Sequence, residues 1–548
     1  MAKIRLSEIN PKVLATRSVF YQIKSNKLFN RMTAKSLVII GVISVFSLKT
    51  QSQDTLVWLK ELSFSTTHEK DAFYEAIQGQ QPSYFKLFNY NKLADTDHRK
   101  NKFYAFLKGL DIENKGGKKN SKRVKYIYEN VHAAFLTKYQ AKNTFSEIFE
   151  TGFYNCVSAT ALYCMAFEYF KIPYVIKEKP NHVYPVAFPQ TDIVVVETTN
   201  PMVGSVSFSE QFKRAYVENL RKQKLISNHE VQSIDATNLF DQYFFGKESE
   251  VTLSQLVGIQ YMNDGIFKFE AEDFSNSYRQ WEKAYLFYKT DQVVNGLVVS
   301  YFKAFQSLTK KDSLHASLVA KLSRFTKFGV AQDHVKGEFG NAIQTLLFEN
   351  GDAEGLKKYY DVLQKGIRNK ELKDELAFLY EYESGRYLFN QGRFSASKPH
   401  FEKAFDLRPN NQDVQQIYLQ VIAHGFRNAT KGREVLGVLK EALSKHSVLT
   451  NNNLFNSMLA SSYLQLFGES YEENKPNEGD EFRIAFEKIF AENNELTIEP
   501  GFIGQAYSQA AVYYFKRSQL QKAKSIIDKG LAIDPTNREL QARKRLIN

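Results

Sequence analysis

Apolar residues recur every three or four positions over most of this chain, which is the periodicity of amphipathic helices. The pattern predicts helices throughout 54–121 and again from about 251 to the C-terminus. It is most regular at 121–139, where valine, isoleucine, leucine and aromatic side chains form a single stripe. With only 27 glycines and 12 prolines in 548 residues, the composition also favours long helices over many short strands.

The segment 172–201 departs from that periodicity. Short runs of β-branched and aromatic residues alternate there with Pro, Asn and Asp, and they predict strands at 174–178, 182–188 and 193–198. A predicted helix that begins at Cys156 comes directly before them. A helix followed by a small antiparallel sheet is typical of an α+β domain.

The C-terminal region contains an internal repeat. Gly385 is followed by Phe394, Phe401, Ala404 and Pro409, at successive spacings of 9, 7, 3 and 5 residues. Two further windows, which begin at positions 265 and 511, reproduce three and four of these spacings with similar residue types. The pattern resembles the tetratricopeptide repeat, a helix–turn–helix unit of about 34 residues.

This resemblance implies an all-α repeat domain at 236–548, with clear repeats near 258–291, 378–411 and 504–537. The helical stretches around 292–377 and 412–503 are degenerate, and we expect three or four weak repeats in them. Such repeats stack into a solenoid whose concave face binds peptides or partner proteins. We therefore expect a protein or peptide partner for this region. No metal or cofactor motif accompanies the repeats, and no cofactor is expected.

The net charge of +13 could suggest a nucleic-acid partner, but its distribution argues against one. Residues 1–50 hold nine lysines and arginines against one acid, a net +8 that leaves only +5 for the rest of the chain. A charge of +5 spread over so many residues is too dilute to recognise a polyanion. We expect no nucleic-acid binding.

The N-terminal 53 residues resemble a leader. An apolar run at 37–48 follows Met32 and Lys35, and small residues near Ser52 could form a cleavage site. The run is shorter than the roughly 18 residues that a spanning helix needs, so a signal peptide is favoured over an uncleaved membrane anchor. Met32 is an alternative start of the protein. We expect the rest of the chain to be exported to the periplasm or cell envelope.

The chain has two cysteines, Cys156 and Cys164. On one helix, a separation of eight residues places their Cα atoms about 12 Å apart, too far for a disulfide bond. No cluster of spaced His and Cys residues suggests a zinc site. Each thiol is therefore either a core residue or a nucleophile, and the deeper position of Cys164 favours the core.

Two downstream residues make Cys156 the candidate nucleophile. His182 begins a predicted strand and Glu197 lies near the end of the next one, so the sheet could place them side by side. A helix N-terminus and a nearby imidazole both favour a thiolate. An acid on the other side of the ring would orient the imidazole. His132, on the amphipathic helix, is predicted to pack or face solvent.

The residues from "NCVSATAL" through "NHVYPVAF" to "IVVVETTNP" resemble the transglutaminase-like branch of the papain-like cysteine enzymes. The resemblance covers about 122–201 and implies an α+β papain/transglutaminase-like domain at 122–235, after a helical segment at 54–121. It implies Cys156 as nucleophile, His182 as base and Glu197 as the third member.

Two departures from the family pattern concern the same site. The family more often has Asp at the third position and Trp where this chain has Tyr184. The backbone N–H of Cys156 is the expected oxyanion donor, with Asn155 or Tyr154 as candidate supporting groups.

Two functions follow from these observations. One is an exported cysteine hydrolase or acyltransferase, protease- or peptidase-like, that acts through a thioester. The other is a catalytically inactive adaptor that uses the same domain and the repeats to bind partners in an envelope complex.

Overall fold

Helical hairpins form most of the chain, and a small sheet lies near its N-terminal third. This computed structural model describes residues 56–78, 83–91, 95–180, 182–199, 204–207, 210–222, 225–244, 246, 248–426 and 432–547. The predicted leader at 1–53 lies outside the described residues, so its cleavage, its anchoring and the start at Met32 stay predictions. No helix in the described ranges is both long enough and apolar enough to cross a membrane.

The first part of the chain is helical, as the apolar periodicity predicts. A short 3₁₀ turn at Leu59–Glu61 precedes the first helices. The helices up to the sheet are α1 (Thr67–Ile77), α2 (Tyr84–Phe88), α3 (Thr96–Gly109), α4 (Ile112–Lys115), α5 (Asn120–Phe135), α6 (Glu147–Glu150) and α7 (Cys156–Tyr169). The stripe on α5 is buried, because its valine, isoleucine and aromatic residues pack into the same core as α7.

Two β-structures flank α7. The strands are β1 (Lys138–Tyr139), β2 (Phe153–Tyr154), β3 (Tyr174–Lys179), β4 (His182–Ala187), β5 (Val194–Val196), β6 (Ser205–Ser207) and β7 (Ser249–Val251). Strands β1 and β2 pair in parallel, and the others form an antiparallel sheet in the order β6-β5-β4-β3-β7. The three predicted strands correspond to β3, β4 and β5. The edge strands β6 and β7 were not predicted. Strand β7 lies C-terminal to residue 235, where the α+β domain was predicted to end, and this domain boundary stays a prediction.

Helices α8 to α25 make up the remainder. They are α8 (Glu210–Lys222), α9 (Asn228–Ser233), α10 (Ala236–Phe244), α11 (Leu253–Glu270), α12 (Phe274–Phe287), α13 (Asp291–Gln306), α14 (Ser313–Leu322), α15 (Gln332–Ile343), α16 (Ala353–Gly366), α17 (Lys370–Asn390), α18 (Phe394–Leu407), α19 (Gln412–Phe426), α20 (Gly432–Lys445), α21 (Asn453–Glu472), α22 (Pro476–Glu492), α23 (Pro500–Phe515), α24 (Leu520–Ile533) and α25 (Arg538–Ile547). A π-helical turn, Gln344–Glu349, extends α15. From α11 onwards these helices form a solenoid-like body.

The three predicted repeats are the hairpins α11–α12, α17–α18 and α23–α24. In two of them, the glycine of the first helix lies directly against an aromatic ring of the second helix. A Cβ atom added to Gly265 would meet Cδ1 of Trp281 at 2.9 Å, and one added to Gly385 would meet the ring of Phe401 at 3.1 Å. The spacing of small and bulky residues in the sequence therefore describes the helix–helix contact.

A fourth hairpin, α21–α22, has the same turn but does not show the sequence pattern. A residue in the left-handed region ends the first helix of each of the four hairpins, and here it is Asn474, with a φ of 63°. The N–H of Lys475 then donates to the carbonyl of Ser470, which closes the helix end. In this hairpin the small residue is on the second helix, where Gly479 packs against Tyr471. The spacing of residues that marks the other hairpins is therefore absent from its sequence.

A buried ion pair joins the first helix to the solenoid. The Glu69 carboxylate on α1 lies 2.7 Å from the Lys283 ammonium on α12, and both side chains are only 1% exposed. The Tyr261 hydroxyl donates to the same carboxylate at 3.1 Å. The N–H of Ser65 donates to its other oxygen at 2.7 Å. These bonds satisfy charges that would otherwise be costly to bury.

Candidate active site

The N-terminus of α7 is held in place by Asn155. Its Oδ1 accepts from the N–H of Ser158 at 2.9 Å, and the Ser158 hydroxyl accepts from the N–H of Asn155, which together form a capping box. Its Nδ2 donates to the carbonyls of Ala141 and Asn143. The Asn155 amide is therefore engaged in fixing the helix start. It supports the site through Cys156, whose own N–H lies in the first turn and has no intrahelical acceptor.

Position 152, directly before β2, requires a glycine. Gly152 has a φ of +74°, and a Cβ atom there would lie 2.1 Å from Oγ1 of Thr137. The Gly152 carbonyl accepts from the N–H of Thr137 at 2.7 Å, which begins the pairing of β1 with β2. The glycine thus allows the chain to reach Cys156 alongside residues 137–140.

The two cysteines have different surroundings. Cys156 is the first residue of α7 and is half-buried, whereas Cys164 is fully buried two turns later. Both thiols are free. Burial, together with the charge of Glu168, holds the pKa of the Cys164 thiol well above its usual value. A neutral, enclosed thiol of this kind is a core residue.

The structure brings His182 close to both Cys156 and Glu197. Nε2 of His182 lies 3.7 Å from Oε1 of Glu197, an ion-pair distance, and the Cys156 side chain is close enough to raise the pKa of this ring. His182 is the first residue of β4, and Glu197 follows the last residue of β5. The three residues, which lie on or next to a helix and two strands that follow it along the chain, thus form one cluster.

A backbone carbonyl ties the three elements of the cluster together. The carbonyl of Val183, next to His182, accepts from the Thr160 hydroxyl on α7 at 3.1 Å and from the Thr198 hydroxyl at 3.0 Å. All three residues are buried. Because one acceptor on β4 receives hydrogen bonds from both hydroxyls, α7, β4 and the residues after β5 are fixed relative to one another. Neither threonine belongs to a pattern that the sequence alone marks as functional.

The electrostatics of the cluster favour a charged imidazole. Burial alone would lower the pKa of His182, but its contacts with Cys156 and Glu197 outweigh burial and raise this pKa to about 9. Burial likewise would raise the pKa of Glu197, but the ion pair with His182 and the hydrogen bonds from Thr199 lower it to about 2. The N–H of Thr199 donates to Oε1 of Glu197 at 2.7 Å. Glu197 therefore remains a carboxylate at neutral pH and stabilises an imidazolium.

Tyr184 supports the other face of the site. Its ring stacks on His182 with centroids 5.4 Å apart, and its hydroxyl donates to the carboxylate of Glu248. Glu248 also pairs with Lys179 at 2.8 Å. Glu248 comes 64 residues after Tyr184, so no local pattern in the sequence could have identified it.

Aromatic side chains form the wall on the β1–β2 side. Tyr154 is buried, and its ring meets Tyr139 and His132 edge-on, with centroids 6.0 and 5.8 Å apart. His132 is half-buried and also stacks on Tyr128, so it packs as predicted. Burial, and then the charges of Cys156 and its neighbours, raise the pKa of Tyr139. Tyr139, which is 41% exposed, is the member of this wall that a bound molecule could reach.

Comparisons with known proteins do not identify a family. No family model matches the chain, and no curated protein matches it. Among solved structures, a chain from "Structure of Naa15/Naa10 bound to HypK-THB" aligns with 53% of this chain and 56% of its own length. The aligned residues are 12% identical and the TM-score is 0.13, which does not support a shared overall fold.

Proposed function

We propose that this chain is a transglutaminase-like cysteine hydrolase or acyltransferase with Cys156 as its nucleophile. One observation carries the proposal: the His182 ring lies 3.7 Å from the Glu197 carboxylate, and Cys156 and Glu197 together raise the pKa of this ring. A thiol at a helix N-terminus, an imidazole in contact with it and an acid that orients the ring are the groups that thioester chemistry requires.

The reaction can be followed through the protons. His182 takes the thiol proton, and the Cys156 sulfur attacks an amide or ester carbonyl to give a tetrahedral oxyanion near the first N–H groups of α7. The imidazolium then protonates the leaving amine or alcohol as the C–N or C–O bond breaks, which leaves a thioester. Neutral His182 next removes a proton from water or an acceptor amine. That nucleophile attacks the thioester, and the thiolate leaves.

Alkylation kinetics test this proposal. We expect iodoacetamide to modify Cys156 at pH 6 faster than it modifies free cysteine, because the His182 imidazolium stabilises the thiolate. His182→Asn should reduce the rate at least about tenfold, since it removes an interaction of the order of 1.4 kcal/mol or more. His132→Asn is the matched control, because His132 is half-buried nearby and is not placed against the thiol.

The same proteins distinguish the alternative function. If Cys156 reacts no faster than free cysteine and His182→Asn has no effect, the thiol is unactivated and the chain fits an inactive adaptor instead. Cleavage of a peptide library by the wild type, and its loss in Cys156→Ala, would establish the hydrolytic activity.

We further propose that the chain is exported and that its solenoid binds a protein or peptide. The apolar run at 37–48 supports export. N-terminal sequencing of protein purified from the cell envelope tests this: a start near residue 53 indicates cleavage, a start at Met1 or Met32 indicates an anchor, and recovery from the cytoplasm alone contradicts export.

A further inference from the structure

The net positive charge of residues 51–548 lies at the C-terminal end of the solenoid. Residues 508–548 contain nine lysines and arginines against three acids, a net +6. All of 51–548 amounts to +5, so the preceding part of the body is close to neutral. The positive charge is therefore concentrated on α23, α24 and α25.

Most of these cations have no acidic partner among the residues that the structure describes. Among the described residues, only Arg543, 3.1 Å from Glu539, and Lys544, 2.7 Å from Asp528, form ion pairs there. Uncompensated like charges at close range repel one another, and they attract an anionic partner.

A groove of about 470 Å³ lies among these charges, between α21, α23 and α25. Arg517 and Lys516 line it from the C-terminal end of α23. The Arg517 guanidinium lies 3.7 Å from the Tyr513 ring centroid, and its Nη2 donates to Oδ1 of Asn474 at 2.7 Å. The guanidinium is thus held in place, with further N–H donors left to bind a carboxylate. A group that is already positioned loses less conformational entropy on binding.

The groove also contains a buried hydroxyl without a partner. Ser508 is 2% exposed and lines the groove, and its Oγ has no hydrogen-bond partner among the described residues. A buried polar atom without a hydrogen-bond partner destabilises the protein. A ligand that hydrogen-bonds with this hydroxyl would remove that cost.

An apolar notch adjoins the groove. It has a volume of about 100 Å³ between α23 and α25, and it shares Val512 and Arg543 with the groove. Phe515 and Leu546 line the notch and are 49% and 81% exposed. The notch has room for a single apolar side chain.

We propose that this groove and notch bind an acidic peptide segment of a partner protein, with an apolar side chain next to a carboxylate. The carboxylate would pair with Arg517 and Lys516, and the apolar side chain would enter the notch. Glu472 and Glu539 also line the groove. Their charges would repel the continuous phosphates of a nucleic acid, whereas a peptide can direct its acids away from them. This inference does not depend on the activity of Cys156.

Fluorescence anisotropy on the full chain tests the proposal. The chain carries Cys156→Ala, so that the probes remain intact. The probes are fluorescein-labelled octapeptides in which Asp alternates with Leu, Asp alternates with Ser, or Lys alternates with Leu. We expect the Asp–Leu peptide to bind most tightly and the Lys–Leu peptide not to bind. Arg517→Ala should weaken binding at least tenfold, and Phe515→Ala should remove the preference for Leu over Ser.

Lys529→Ala is the matched control. Lys529 is an exposed cation on α24 that has no ion-pair partner among the described residues and does not line the groove. Its loss should weaken binding less than threefold. Ser508→Ala should weaken binding without lowering the melting temperature. Three results would overturn the proposal: no Asp–Leu binding at 1 mM, equal losses in Arg517→Ala and Lys529→Ala, or tighter binding of an eight-nucleotide oligothymidylate than of the peptide.

Discussion

The link between Glu197 and His182 makes one quantitative prediction. The carboxylate lies 3.7 Å from the imidazole, and the substitution Glu197→Gln removes its charge while keeping its shape. Two unit charges at this distance interact by about 1 kcal/mol in water and about 4 kcal/mol at an effective dielectric constant of 20. These limits correspond to a decrease of about 1–3 units in the pKa of His182, which is about 9 in the wild type.

NMR titration of protein labelled at the histidine Cε1 positions measures this pKa directly. The His182 resonance can be assigned by its absence in His182→Asn. We expect it to titrate near pH 9 in the wild type and between about 6 and 8 in Glu197→Gln. A change of less than half a unit would refute the reasoning, because the carboxylate would then contribute little to the field at the ring.

Unfolding free energies provide a second measurement with a definite sign. The folded-state pKa of His182, about 9, lies above its ordinary value of 6.5, so its stabilisation is complete below pH 6.5 and is lost as the pH rises through 9. The pKa of Glu197, about 2, lies below its ordinary value of 4.5, so this stabilisation is lost as the pH falls from 4.5 through 2. The stability difference between wild type and Glu197→Gln should therefore be largest between pH 4.5 and 6.5.

Three further substitutions test the fold by chemical denaturation. Gly265→Ala should cost about 1–3 kcal/mol, because the new methyl group would overlap Trp281, whereas Gly437→Ala, at an open helical position, should be neutral or slightly stabilising. Ser518→Gly should stabilise the protein by up to about 1 kcal/mol, since the φ of Ser518 is 58° and only glycine adopts it freely. Asn155→Ala should cost about 1–2 kcal/mol through loss of the helix cap and also slow the alkylation of Cys156. The opposite sign in any of these would contradict the packing or backbone argument behind it.

The sequence predicted the features that depend on neighbours along the chain. The helical periodicity, the strands β3 to β5 and the three hairpins with small residues at Gly265 and Gly385 are all local patterns, and the structure contains them. The order of Cys156, His182 and Glu197 could also be read, because each begins or follows an element of predictable type. Their catalytic roles stay predictions.

Features that depend on distant parts of the chain were not predictable. Strand β7 joins β3 from more than 70 residues away, and its three residues carry no strand signal of their own. The hydrogen bond between Tyr184 and Glu248 likewise joins residues that are far apart along the chain. The hairpin α21–α22 lies in a stretch where only degenerate repeats were predicted, because Gly479 supplies, from the second helix, the small side chain that the clear repeats place on the first. Asn155 was a candidate oxyanion group by position, but only its hydrogen bonds reveal that its amide already serves the helix cap.

The ion pair between Glu69 and Lys283 also sets a limit on how far the N-terminus can be trimmed. A protein that lacks α1 would leave the Lys283 ammonium in the core without the Glu69 carboxylate, and its free energy of unfolding would fall by about 3–5 kcal/mol. That is a large fraction of the total stability of a typical domain. Whatever processing removes from the start of the chain, the smallest part that folds stably has to begin before Ser65, whose N–H also bonds to Glu69. The first helix is therefore a structural component of the solenoid, although nearly 200 residues separate them along the chain.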